Sequence, residues 1–511
     1  MARRGITHTS VLALAVFSAG VAVTRSLAEE PSPVDQDLLN EMVAHDPGEA
    51  FIYAFDAGDE LTEATFTSER GVGAYVGELL RFTRMPRPDL TGPGEWSQHL
   101  PMREGGPNAT SCISCHSVPT ANGAGGVALN VLVDPLHIGE PAQYLERNTL
   151  HLFALGAVQR LAEEMTSDLQ GQREALETRV CESGEPDVQA LIANGVAFGV
   201  IGAERVAEAP CEIAFVTTGI EGVDEDLVIR PFGWKGTHAT IRAFTRGAAH
   251  NELGMQAVEL IGDADGDFDG VTNELTVGDL TALAIYMAAL ERPTSLVELA
   301  DHGIVELEDE QRSAIMRGEQ AFADAGCGSC HVPSMTLRDP MFQEPSAHPN
   351  FGEAVLPNGD EAAAHGLHAA RPVSFDLTAD QPNNRIELAD GSVVHLGAFE
   401  RTENGGALIR WYSDFRRHEM GPALADPVDA FGIGASVWPT RSLAGVGSTG
   451  PWLHNGHATT LHEAIIAHGG EAAASRDAYL ALSAEERANL VAFLENLVIY
   501  TDPHAEEEDD P

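Results

Sequence analysis

Cys327-Gly328-Ser329-Cys330-His331 is the stretch on which the reading of this chain turns, and Cys112-Ile113-Ser114-Cys115-His116 repeats its pattern. Cys-x-x-Cys-His is the attachment signal of a c-type haem. Two thiols add across the porphyrin vinyl groups, and the adjoining histidine is placed to bind the iron. Four of the six cysteines are spent in this way. The competing readings are a pair of zinc clips or a thioredoxin-like redox pair, but a zinc site would want more thiolates or histidines at matched spacing. Two covalent haems are therefore predicted, tethered by Cys112, Cys115, Cys327 and Cys330, with His116 and His331 as iron ligands.

Outward from the second motif, Leu307 to Ala325 carries Ile315, Gly318, Ala321 and Phe322 at helical spacing and runs straight into Cys327. A glycine one turn before an aromatic lets a second helix cross closely. Farther on, Ser483 and Glu486 form a capping box ahead of an apolar stripe of Leu490, Phe493, Leu494 and Leu497. The first motif has a looser version of this arrangement. Gly71 to Arg84 is the candidate leading helix, and Thr276 with Asp279 would cap a closing helix that ends at Pro293. The fold expected is mainly α, with two cytochrome c-like haem domains packed against each other, loop-rich insertions and a few short strands. The Pro-, Asp-, Asn- and Gly-rich segment 336–405 would supply loops and strands.

The N-terminus reads as a secretory signal: Arg3 and Arg4, an apolar run from Val11 to Val23, then Ser26-Leu27-Ala28 before acidic Glu29. An uncleaved anchor is the alternative, though the run is shorter than the ~20 residues a bilayer span needs. Haem attachment of this type is done outside the cytoplasm, so a periplasmic or otherwise exported protein with no transmembrane segment after cleavage is expected. The formal net charge of −48 argues against nucleic acid as a partner. It would either steer a basic partner or solvate the surface at high salt. The remaining cysteines, Cys181 and Cys211, are expected to pair as a structural disulfide. Closing that loop is worth about 3–4 kcal/mol by the chain-entropy estimate; a free reactive thiol is the rival.

These signals divide the chain as follows: 1–28 a signal peptide, 29–165 with 231–293 a first haem domain, 166–230 an insertion holding the disulfide, 294–306 a linker, 307–500 a second haem domain, and 501–511 an acidic tail.

The sixth position of each iron decides its use, since a side chain there favours electron transfer and an open site allows chemistry. For the second haem, His468 follows an apolar helical run and precedes the pair Gly469-Gly470; Met420 is its rival. For the first, His137, His250, His151 and His238 all lie between motif and closing helix, in that order for the leading two, and an open site is equally compatible. In Asp265-Gly266-Asp267-Phe268-Asp269-Gly270, three carboxylates fit the first, third and fifth oxygens of a calcium loop. Thr276 occupies the twelfth place, and Glu274 could act from two positions earlier. A solvated acidic turn is the alternative.

Residues 51–500 resemble the di-haem oxidoreductase, or thiol oxidoreductase, family within the dihaem cytochrome c peroxidase superfamily. The likeness is carried by Gly106-Pro107-Asn108-Ala109, by Arg147-Asn148-Thr149 with Phe153-Ala154-Leu155-Gly156, and by Phe232-Gly233-Trp234-Lys235-Gly236 through Glu252-Leu253-Gly254-Met255. Its fourth part is Thr440-Arg441-Ser442-Leu443 through Gly450-Pro451-Trp452-Leu453-His454-Asn455-Gly456 to His468-Gly469-Gly470-Glu471. The resemblance implies that position 468 is the distal ligand of the second haem, here histidine, and that Trp234 lies between the haems and helps pass electrons. It sets His137 near the distal histidine of the first haem. Where the peroxidases carry an acid before the methionine matching Met255, this chain has Gly254, with Glu252 two residues earlier. That departure weakens the implication of hydrogen peroxide reduction. The expected activity is redox: an oxidoreductase in which one haem exchanges electrons with a small carrier, a cytochrome or cupredoxin, while the first haem acts on a small-molecule substrate, peroxide-like or a thiol or sulfur compound. A non-catalytic electron carrier or redox sensor is the alternative.

Overall fold

Asp35 and Asp46 each accept hydrogen bonds from the first free N–H groups of a helix and so start α1 (Gln36–His45) and α2 (Pro47–Glu63). These open a computed structural model that describes residues 30–379, 381, 382, 385–388 and 391–500. The expected signal peptide and acidic tail lie outside the described residues. From Pro31 on, the contacts hold the chain in one compact unit.

The longest helix, α3 (Leu155–Ser183), buries Leu161, Met165, Leu169, Leu176 and Val180 along one stripe. An antiparallel sheet of β3 (Asp187–Ala193), β4 (Val196–Glu208) and β5 (Cys211–Val216) lies against it, after the short pair β1 (Val131–Val133) and β2 (Leu145–Arg147). Cys181, near the end of α3, is disulfide-bonded to Cys211 at the start of β5, with Cα atoms 6.0 Å apart. The boundary expected at 165/166 falls inside α3.

Beyond α4 (Ile241–Ala248), a π-helical turn at Ala249–Leu253 and α5 (Val258–Ile261) comes α6 (Val277–Ala289), in which every residue is buried. Thr276 and Asp279 form the capping box that starts α6. Helices α2, α3, α4 and α6 make the larger apolar core, on which Cys112 and Cys115 also pack.

A second cluster lies under the other motif. After α7 (Leu296–Asp301), α8 (Asp309–Asp324) leads into Cys327. Later come α9 (Leu461–Ile466), α10 (Ala473–Ala481) and α11 (Ala484–Glu495), the last capped by Ser483 and Glu486. A Cβ on Gly318 of α8 would collide with the Asn489 carbonyl of α11, so only glycine permits this close crossing. Ile315, Phe322, Leu490, Phe493 and Leu494 fill the contact, with Cys327 at its margin.

Two expectations fail. The chain is not a mainly α pair of cytochrome c-like domains: helices take up 35% of the described residues and strands 16%, the latter spread over small sheets of two or three strands. The segment 336–405 forms the short strands and loops expected of it, because its apolar runs are too short for a helical stripe and are punctuated by turn residues. The alternating pattern of 187–216 likewise makes the sheet on α3. Nor is Gly71–Arg84 a helix. Gly71, Gly73 and Gly77 take φ of 95°, 84° and 105°, outside the helical region, and the chain turns tightly there. No helix among the described residues is long and apolar enough to cross a membrane.

Candidate haem sites

At the second motif, the turn Cys327–Ser329 brings His331 back so that its N–H bonds to the Cys327 carbonyl, 3.0 Å. The His331 ring stands across from the His468 ring, centroid to centroid 6.4 Å. Nδ1 of His331 donates to the Tyr412 carbonyl, 3.2 Å, and Nδ1 of His468 to the Ala464 carbonyl, 2.8 Å. A carbonyl only accepts, so each Nδ1 holds the proton and each Nε2 keeps its lone pair. Two metal–nitrogen bonds of ~2 Å plus two ring radii of ~1 Å come to ~6 Å, so one metal ion fits between these rings. Burial lowers both imidazole pKa values, that of His331 to about 4, so both are neutral and able to ligate. Met420, the rival, is half-buried, and its backbone lies against Gly469.

Burial pushes Cys112 up to about 12, and Cys115 and Cys327 up to about 11, so these three are held as neutral thiols. The ligating atoms of Cys330, Asp414 and His418 also lie together. His418 spends both ring nitrogens, however, on Asp414 and Glu471, each at 2.8 Å.

At the first motif, Nδ1 of His116 donates to the Gly123 carbonyl, 3.2 Å, again leaving Nε2 as the lone-pair nitrogen. Burial lowers His116 to about 4. The four candidate partners separate clearly. His137 is half-exposed at a turn with φ 52°. His238 pairs Nδ1 with Thr237 Oγ1, 2.9 Å, and meets Phe244 edge-on. His151 directs Nε2 to the Ala444 carbonyl, 3.1 Å, sits edge-on to Trp411, and leaves Nδ1 buried without a partner. His250 is 4% exposed, and neither ring nitrogen makes a hydrogen bond; the Pro101 carbonyl is near but out of bonding geometry.

His250 and Glu252 share the π-helical turn, and that turn lies on the approach to the first motif. The N–H groups of Asn108 and Ala109 donate to the Glu252 carbonyl, 2.8 and 3.1 Å. The Glu252 carboxyl is close enough to raise the Cys115 thiol, and its Oε2 is buried and unpartnered. Burial pushes that carboxyl up to about 8, against the pull of Arg103. Gly254 follows at the C-cap with φ 81° and its Cα against the Gly73 backbone, so position 254 itself has no room for an acid.

Trp234 donates Nε1–H to the Asn148 carbonyl, 2.6 Å, with Arg441 over one face and Trp438 and His454 edge-on. At the acidic turn, single oxygens of Asp265, Asp267 and Asp269 lie within 4.8 Å of one another. Glu274 is not among them; it accepts from the Gln256 N–H, 2.7 Å. Thr276 is occupied in capping α6. Asp267 is fully buried with Oδ1 unpartnered although Arg103 reaches Oδ2, and burial, helped by Asp269 and Asp265, pushes its carboxyl up to about 7. A divalent cation with oxygen ligands suits that set.

Sequence reasoning missed Arg441, His418 and the Trp411-Tyr412 pair. Their roles depend on carbonyls and on charges far apart in the chain, which leave no spacing signal.

No curated protein matches this chain. A solved structure, "Crystal structure of a MauG-like protein associated with microbial copper homeostasis", is similar at 17% identity over 53% of this chain and 69% of that one. The TM-score of that likeness is 0.25. Residues 399–497 match the family model described as "Di-haem oxidoreductase, putative peroxidase". That match spans the Tyr412 carbonyl, the His418 clamp, Arg441 and His468. Over those residues, about a fifth of its length, the chain is similar to the di-haem oxidoreductase family.

Proposed function

We propose that this chain is an exported oxidoreductase carrying two c-type haems, a six-coordinate one that exchanges electrons with a small redox carrier and a reactive one that acts on a small molecule. The observation that carries the reading is the facing pair His331 and His468, each with Nδ1 tied to a carbonyl and Nε2 available. Cys327 and Cys330 would tether that haem, and Cys112 and Cys115 the other, with His116 as its proximal ligand. Bound haem would supply one-electron chemistry at iron.

The chain's own groups differ at the two sites in a way that supports this division of labour. Bis-histidine ligation fills the second site and suits electron transfer. Glu252, on the same π-helical turn as His250 and close to Cys115, is a buried carboxyl that holds a proton at neutral pH. General acid catalysis needs such a group within reach of the reacting atom. Trp234, flanked by Arg441 and by the Trp438–His454 stack, supports the electron-passing role implied by the resemblance. A calcium ion on Asp265, Asp267 and Asp269 would offset the cost of burying the Asp267 and Asp269 carboxylates, both of which burial pushes up.

The test is mass spectrometry and absorption spectroscopy of protein made in a host competent in cytochrome c maturation. Two added haem masses are expected, with one low-spin haem indifferent to carbon monoxide and one that binds it. Colourless protein would refute the reading; two haems that both ignore carbon monoxide and cyanide would leave an electron carrier.

A further inference from the structure

Arg441 is a half-buried cation with no counter-ion among the described residues. Its two terminal nitrogens donate to the carbonyls of Pro231, 3.1 Å, and Gly233, while Nε is buried with no partner. It forms no ion pair among the described residues, and burial together with Arg147 depresses its pKa to about 9. Its neighbours do not correct the imbalance. Arg147 pairs with Asp426, 2.7 Å, and Lys235 lies 3.5 Å from the same carboxylate. His454 stacks on Trp438 and is held neutral by burial and by Arg147, at about 4. Arg147 and Lys235 thus share Asp426, with Asp429 also acting on Lys235, and Arg441 is left without a carboxylate among the described residues, in a chain whose net charge is −48. An unpaired buried charge is costly, and the cost is removed by an anion with oxygens for the guanidinium to grip.

The place of Arg441 says which anion. Two residues on, Leu443 packs on the cluster that contains Cys327; three residues on, the Ala444 carbonyl holds His151, whose ring is close enough to His116 to influence its charge. Ser442 Oγ donates to the Trp411 carbonyl, 2.6 Å, and the next residue, Tyr412, holds His331. Arg441 therefore lies on a loop between the two Cys-x-x-Cys-His motifs. We propose that Arg441, stacked on Trp234, is the anchor of a carboxylate-binding site at this junction, and that the carboxylate is a haem propionate. The inference rests on the two-haem reading above. A guanidinium at that point holds the propionate ionised and favours the reduced iron it neighbours.

The experiment compares holo wild type with Arg441→Met and Arg441→Lys. All three are expected to show two haem masses; their absence in the wild type would count against the haems themselves and not against this site. In wild type, both midpoint potentials should be flat across roughly pH 5–8, because the propionate is ionised throughout. In Arg441→Met, one haem should lose about tenfold in reduced-to-oxidised ratio at fixed applied potential and acquire a pH slope in that window. Arg441→Lys should keep the profile flat. An unchanged, flat potential in Arg441→Met would overturn the proposal, as would a sloping wild type if the Met variant cannot be recovered. Titration of wild type with acetate or phosphate separates the two sources of the carboxylate. No effect is expected; a saturable spectral shift, absent in Arg441→Met, would replace the propionate with a free anion and overturn that half.

Discussion

The two Cys-x-x-Cys-His sites share a pentapeptide and differ in what stands across from the histidine. At the second, the partner is an imidazole with its ring centroid 6.4 Å away and its Nε2 lone pair free. At the first, the π-helical turn bonded to the approach of the motif carries His250, unbonded at both nitrogens, and Glu252, with one unpartnered carboxylate oxygen. On the proposed reading, one arrangement would fill a coordination sphere and the other would store a proton. The difference arises in the backbone. His468 follows the short α9, which ends at Ile466, whereas His250 and Glu252 belong to the π-helical turn at Ala249–Leu253.

The sharpest way to break the contrast is to remove His468. His468→Ala should convert one of the two haems from low to high spin and open it to carbon monoxide, with both haem masses retained. Met420→Leu should leave the spectrum alone. If His468→Ala stays fully low-spin, the second site has another ligand and the comparison falls.

The next effect belongs to the first site. Glu252→Gln keeps the side-chain shape but cannot give up a proton. Turnover with peroxide as oxidant should fall about 10²–10⁴-fold, the range for loss of a general acid or base. Spin states of both haems should not change. A variant as active as wild type would show that the buried carboxyl is structural.

How much of this could be read in the sequence depended on how local each signal is. The capping boxes at Thr276 and Ser483 name helices that form, because a cap is decided within four residues. Cys181 and Cys211 are bonded, and the composition left them few other roles. The fold class was misread because small sheets drawn from short, distant strands give no periodic signal. Leu497–Val498, for example, pairs with Thr294–Ser295 across most of the second half. Glycines at 71, 73 and 77 bent a segment whose apolar spacing suggested a helix. The Tyr412 carbonyl that orients His331 is a backbone group and so cannot be seen in residue identity at all.

A smaller effect sharpens the first site's surroundings. Arg103 is fully buried beside His99 and Asp267, and its charge also reaches His250 and Glu252, so the acidic turn and the pocket are joined through one side chain. Calcium at 100 times its Kd should stabilise the protein by about 3 kcal/mol. A chelator should therefore lower Tm, and Asp267→Asn should abolish the calcium response. A Tm indifferent to chelator and calcium would leave the turn a solvated one.

The smallest effect tests how firmly the second site is held. Burial alone would lower the His418 pKa, but hydrogen bonds to Asp414, Cys330 and Glu471 outweigh it and hold the imidazolium up at about 10. Glu471 lies three residues past His468, and its other oxygen accepts from the Glu419 N–H, 2.9 Å, so the clamp ties the ligand's turn to the strand Arg417–Glu419. Because the folded pKa is raised above the ordinary 6.5, the clamp's stability is fully present below pH 6.5. It is lost as pH rises toward 10. His418→Gln should remove about 2 kcal/mol at pH 6, the scale of hydrogen bonds to charged groups, and should flatten the decline in stability between pH 6.5 and 10. The low-spin signal of the second haem should weaken over the same window in wild type, because the turn bearing His468 loosens as the clamp loses its charge. Denaturation curves at pH 6 and pH 9.5 that fall in parallel for both proteins would show that His418 is neutral in the fold and that the ligand's turn is held by backbone alone.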